Sequence, residues 1–82
     1  MKLLNDAVID RINYYLGTTN YSQYALAELS GVPYPTIKSI MQRRTKGITL
    51  KTIVMIARGF NVDVSEFLSD NFFHYDELDL DC

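Results

Sequence analysis

Apolar residues recur at helical spacing along most of the chain, and no stretch alternates apolar and polar positions well enough to predict a sheet in the body. Val8, Ile9, Ile12 and Leu16 share one face of a first helix over about Asn5–Leu16, with Asp6, Asp10 and Arg11 facing away. The run Gly17 to Tyr21, GTTNY, has a loop composition and should end it. Ser22 is a good N-cap, because its hydroxyl can accept an otherwise orphaned backbone N–H. It should open a short second helix, Gln23 to Ser30, burying Leu26, Ala27 and Leu29. Gly31 should close that helix, since glycine tolerates the left-handed conformation of a tight turn. A third helix begins at Tyr34 or Pro35, where a proline loses no hydrogen bond. Thr49 should cap a fourth, Leu50 to Gly59, with Leu50, Ile53, Val54 and Ala57 inward. Asp63-Val64-Ser65-Glu66 has the spacing of a capping box and should open a fifth helix that buries Val64, Phe67 and Leu68. The segment from Asp70 to Cys82 combines aromatics with acids, and a short extended arm is an alternative there.

The third helix has two unlike faces. Ile37, Ile40 and Met41 form an apolar stripe, while Pro35, Lys38, Ser39 and Gln42 line the opposite side. That outer side offers a cation, a hydroxyl, an amide and an apolar ring, and no acid. Lys38 can donate to guanine, Gln42 can pair with adenine, and Pro35 can touch a thymine methyl. Taken alone, such a helix fits an ordinary amphipathic surface about as well. Its setting favours DNA. Two short helices joined by a tight glycine turn let the second project into a major groove. Arg43, Arg44 and Lys46 follow where the chain would leave the groove and meet phosphates.

Charge supports this reading once its distribution is considered. The net charge is −2 over 82 residues, but from Pro33 to Lys51 there are five bases and no acid. From Asp70 onward there are five acids and no Lys or Arg. Residues 1–69, with eight bases against five acids, carry +3. The chain divides into a mildly basic body, residues 1–69, and an acidic aromatic tail, residues 70–82.

At this point the residues resemble a known family. From about Val8 to Ser69 the chain is similar to the lambda-repressor/Cro-like (Xre-type) helix-turn-helix domain. SQYALAELSGVPYPTIKSI at Ser22–Ile40 and TLKTIVMIARGFNVDVSEFL at Thr49–Leu68 carry the resemblance. It implies an all-α fold, a compact five-helix lambda-repressor-like DNA-binding domain with a short acidic C-terminal tail. It also implies that Gln23 grips a phosphate and that Tyr34, Pro35, Lys38 and Ser39 occupy base-contacting positions, with Thr36 against the backbone. Pro33 and Pro35 stand where Ser, Thr or Gln are more usual. Arg43 stands where glycine is frequent, so the end of the third helix should be extended or irregular, and Ile48 replaces a frequent proline.

The expected site therefore has base contacts from Tyr34, Pro35, Lys38, Ser39 and Gln42. Backbone contacts come from Ser22, Gln23, Thr36, Arg43, Arg44 and Lys46. The expected function is a transcriptional regulator, a repressor, binding double-stranded DNA as a homodimer through Phe60, Phe67, Phe72 and Phe73. A protein-binding module, such as an antitoxin acting through its acidic tail, is the alternative. Tyr14, Tyr15, Tyr21 and Tyr24 read first as core packing and second, for Tyr21 and Tyr24, as phosphate contacts. His74 and Cys82 do not make a zinc set, and the tail acids lack the order of an EF-hand, so neither metal nor cofactor is expected. No catalytic constellation or phosphate-binding glycine loop argues for an enzyme. No apolar run suits a membrane span, and MKLLNDAVID meets acids too soon for a signal peptide, which points to the cytoplasm.

Overall fold

The computed structural model describes residues 2–69 and 78–79. Its order is β1 (Lys2–Leu3), α1 (Leu4–Thr19), α2 (Gln23–Ser30), α3 (Tyr34–Met41), α4 (Leu50–Gly59), α5 (Val64–Phe67) and β2 (Leu78–Asp79). The fold is all-α in its body, with the five helices in the order expected. The only β pairing among the described residues is small and parallel: Lys2 lies opposite Leu78 and Leu3 opposite Asp79. It gives the arm at Leu78–Asp79 an extended conformation and adds a strand at Lys2–Leu3 that the pattern did not predict. Phe72, Phe73, His74 and the rest of 70–77 and 80–82 lie outside the described residues.

The caps explain the helix boundaries. Ser22 Oγ accepts from Ala25 N, and Thr49 Oγ1 accepts from Thr52 N, as their positions predicted. Asp63 occupies the cap position of α5, but its side chain makes no capping bond, and the helix is a single turn. Gly17 does not end α1. The helix runs two residues further, and Asn20 makes the left-handed turn at φ 60°. A mid-helix glycine costs only about 1 kcal/mol relative to alanine, so packing of the surrounding helix overrides it.

Ile9, Ile12 and Val8 of α1, Leu26 of α2, Ile37 and Ile40 of α3, Ile56 of α4 and Phe67 of α5 form one core. Tyr15 stacks between Phe60 and Phe67, with centroids 5.2 and 5.8 Å away. Phe60 and Phe67 are thus interior residues. This corrects the expectation that they form a dimer surface: Phe67 has no exposed surface to offer a partner. Arg11 is a second correction. Expected on the solvent face, it is buried at 6% exposure. Its guanidinium donates to the carbonyls of Phe67 (2.7 Å) and Glu66 (3.0 Å) and to Tyr15 Oη (3.2 Å). A buried charge needs such partners, and the last carbonyls of α5 need a donor, so each satisfies the other. Leu29 and Leu50, expected inward, are 55% and 64% exposed. Tyr14, Tyr21 and Tyr24 are exposed as well, leaving Tyr15 as the buried member of the four.

Gly59 sets how closely α2 and α4 approach. A Cβ built there would sit 2.8 Å from Ser30 Cβ and 3.1 Å from Ser30 Cα. Among the described residues, no helix is long and apolar enough to cross a membrane.

Candidate nucleic-acid interface

The turn between α2 and α3 is built from short-range bonds. Gly31 adopts φ 79° and donates to Ala27 O at 3.0 Å. Val32 N donates to Ser30 Oγ at 3.2 Å, and the Val32 side chain is buried, which pins the turn to the core. Pro33 then supplies the carbonyl that accepts from Thr36 N and Ile37 N at 2.9 and 3.1 Å. Tyr34 and Pro35 form the first turn of α3, where the missing proline N–H has no partner to lose.

Ile37 and Ile40 seat α3 on the core. Its other side is open: Tyr34, Pro35, Thr36, Lys38 and Gln42 are exposed, and Ser39 is half-buried. All five residues expected at bases therefore share the outward side of one helix or its end. At the start of α2, Ser22 is exposed and Gln23 half-buried. The Ser22 hydroxyl accepts from Ala25 N, which leaves its proton for an external acceptor.

The end of α3 is regular. Arg44 N donates to Ser39 O and Arg43 N to Ile40 O, at 2.9 and 3.0 Å, the paired bonds of a Schellman motif. Arg43 takes the left-handed position at φ 60° that glycine ordinarily fills. The extended or irregular ending expected from the missing glycine is absent, because arginine accepts the glycine conformation. Ile48, in place of a proline, packs against the core from the loop before α4.

Arg43, Arg44 and Lys46 are exposed on this loop. Two residues that no sequence pattern connects with it hold it in place. Asn5 Nδ2 donates to Thr45 O at 3.0 Å and Lys46 O at 2.7 Å. Asp6 Oδ1 accepts from Arg43 Nε at 2.9 Å. The first turn of α1 is thus part of the framework of the basic loop. Tyr24 is also part of this surface. Its ring meets that of Tyr34 at 5.6 Å and 62°.

The arrangement is an exposed polar helix set on an apolar stripe, preceded by a glycine turn and followed by three cations. It matches the geometry by which helix-turn-helix proteins approach duplex DNA. The comparisons agree. The chain is 29% identical over 66 residues to the Control protein C.SmaI of Serratia marcescens, covering 80% of this chain and 77% of that protein. No solved structure matches it. The family model for the Cro/C1-type HTH DNA-binding domain matches residues 11–72, which include α2, the turn, α3 and the basic loop. The chain belongs to the Cro/C1-type HTH family and is a DNA-binding transcriptional regulator.

Proposed function

We propose that this protein is a sequence-specific repressor that binds an inverted-repeat operator as a homodimer and reads the major groove with α3. The observation that carries this reading is the exposed face of α3. Pro35, Lys38 and Gln42 stand clear of the core, with Ser39 beside them, and no acid lies within the helix. Lys38 and Gln42 supply hydrogen bonds to base edges, and Tyr34 and Pro35 shape the fit. Ser22, Gln23, Thr36, Arg43, Arg44 and Lys46 take the phosphates, which supply sequence-independent affinity. A single domain of this size covers one half-site, and a symmetric pair doubles the contact. The Serratia marcescens relative is a control protein by name, which supports a regulatory role.

Selection of bound oligonucleotides from a random pool tests the whole reading. It should return an inverted repeat with half-site centres separated by about one helical turn or a multiple of it. Lys38→Ala should then relax preference at one base pair by about 1–3 kcal/mol while leaving the others. A pool that shows no enrichment, or a Lys38→Ala protein with unchanged preference, would overturn the assignment. Sedimentation of the protein on the selected DNA reads the stoichiometry directly, and one copy per operator would remove the dimer.

A further inference from the structure

Tyr24 and Tyr34 lie ten positions apart, in the first turns of two different helices, and their rings meet edge to face. Nothing in the core requires either ring. Tyr24 is 60% exposed and Tyr34 38%. Two large aromatic rings left in solvent in mutual contact, both at the ends of the helices that would face DNA, call for an explanation outside folding stability. The backbone around Tyr34 adds to the case. Pro33 precedes it with φ −56° and ψ 140°, and Pro35 follows it, so rotation is restricted on both sides. The backbone of Tyr34 is stiffened by two rings, and its side chain is braced by a third.

We infer that Tyr24 is a specificity-determining positioning residue, whose ring fixes the side chain of Tyr34 in the orientation that meets the base pairs. The inference rests on the reading of α3 as the recognition helix. A free tyrosine at the head of α3 would sample several rotamers and lose that freedom on binding. Bracing it beforehand removes part of this cost for the correct sequence. It also narrows the set of base pairs the ring can accommodate, because a fixed ring cannot swing away from a mismatch. The contact is with the Tyr24 ring, so the effect belongs to the aromatic face and edge rather than to the hydroxyl.

The test compares wild type, Tyr24→Phe, Tyr24→Ala, Tyr34→Ala and the double alanine variant by fluorescence anisotropy, on the selected operator and its single-base-pair substitutions. Tyr34→Ala identifies the base pair that the ring meets. Tyr24→Ala should lose roughly 3- to 10-fold in discrimination at that same base pair. The double variant should be no worse than Tyr34→Ala, and Tyr24→Phe should keep wild-type discrimination. In the unbound protein, the Tyr34 ring protons should shift in the NMR spectrum of Tyr24→Ala and not in that of Tyr24→Phe. If Tyr24→Ala fails to fold, Tyr24→Leu keeps a helix-compatible apolar side chain without the ring and is measured in its place. Unchanged discrimination in Tyr24→Ala overturns the inference, as does a loss spread evenly over all positions or an equal loss in Tyr24→Phe. A wild-type protein that selects no operator at all would instead overturn the recognition-helix reading.

Discussion

Arg43 Nε donates to Asp6 Oδ1 at 2.9 Å across 37 positions of sequence, joining the basic loop after α3 to the first turn of α1. The pair is exposed on the arginine side, so it contributes at most about 1 kcal/mol to stability. Its consequence is for charge. Asp6 partly neutralises the cation that the proposed function places against phosphate. Asp6→Asn keeps an acceptor and removes the negative charge. Non-specific duplex binding at low salt should become severalfold tighter, with a steeper dependence on salt. A titration of affinity against salt checks this, and an unchanged slope would argue that Arg43 stays clear of DNA.

Arg43→Gly separates folding from binding. Glycine relieves about 1–2 kcal/mol of left-handed strain. It gives back roughly 0.5–1 kcal/mol in unfolded-state entropy. With the exposed ion pair also lost, stability should stay within about 1 kcal/mol of wild type. Affinity for all sequences should fall, and the salt slope should flatten by about one counterion. Chemical denaturation and anisotropy on the same samples read both quantities.

Arg11→Ala should be the most damaging change at a charged position of the body. It removes the donor to the Phe67 carbonyl and one of several to the Glu66 carbonyl, which also accepts from Ser69 N and Ser69 Oγ, and it empties space beside Tyr15. The cost should be on the order of 3 kcal/mol, from the unsatisfied Phe67 carbonyl and lost packing. A urea unfolding free energy lowered by less than a tenth of this amount would mean that the buried bonds are replaced by water.

Gly59→Ala tests the contact between α2 and α4. Alanine is the better helix former by about 1 kcal/mol, which alone would stabilise. The added Cβ would meet backbone and Cβ of Ser30, which cannot rotate away. The overpacking should win, with a net destabilisation of about 1–2 kcal/mol. Ser30→Gly in the same chain should recover part of it, which a thermal melt of the double variant would show.

Removing residues 70–82 takes away five acids and leaves the body at +3. It also removes the Leu78–Asp79 partner of Lys2–Leu3. If the acids compete with phosphate, truncation should tighten non-specific binding at low salt in a protein whose helical circular dichroism is retained. No change in affinity would assign the tail another role.

The helices were legible because their ends are written in single residues. Ser22, Gly31 and Thr49 act within three or four positions of themselves, so a local pattern contains them. Arg11, Leu29 and Leu50 were misplaced for the converse reason. Periodicity treats charge as outward and leucine as inward, and only the packing of distant elements decides otherwise. The carbonyls that bury Arg11 are 55 and 56 positions away. The outward face of α3 was readable from spacing, whereas the Asn5 clamp, the Asp6 pair and the Tyr24–Tyr34 contact all join separate elements. Tyr24 was at least visible as an aromatic near α2, while Asn5 carried no signal at all.

Asn5 has a bearing on how separable this DNA-binding unit is. Its amide spans the Thr45 and Lys46 carbonyls, so the loop leaving α3 is shaped by a helix that precedes the motif. Transplanting α2 and α3 alone into another scaffold would carry the exposed face of α3 but not this brace. A graft meant to preserve DNA binding must bring the first turn of α1 with it, and exchanging α3 in this chain should succeed most readily when the incoming sequence stops at Gln42.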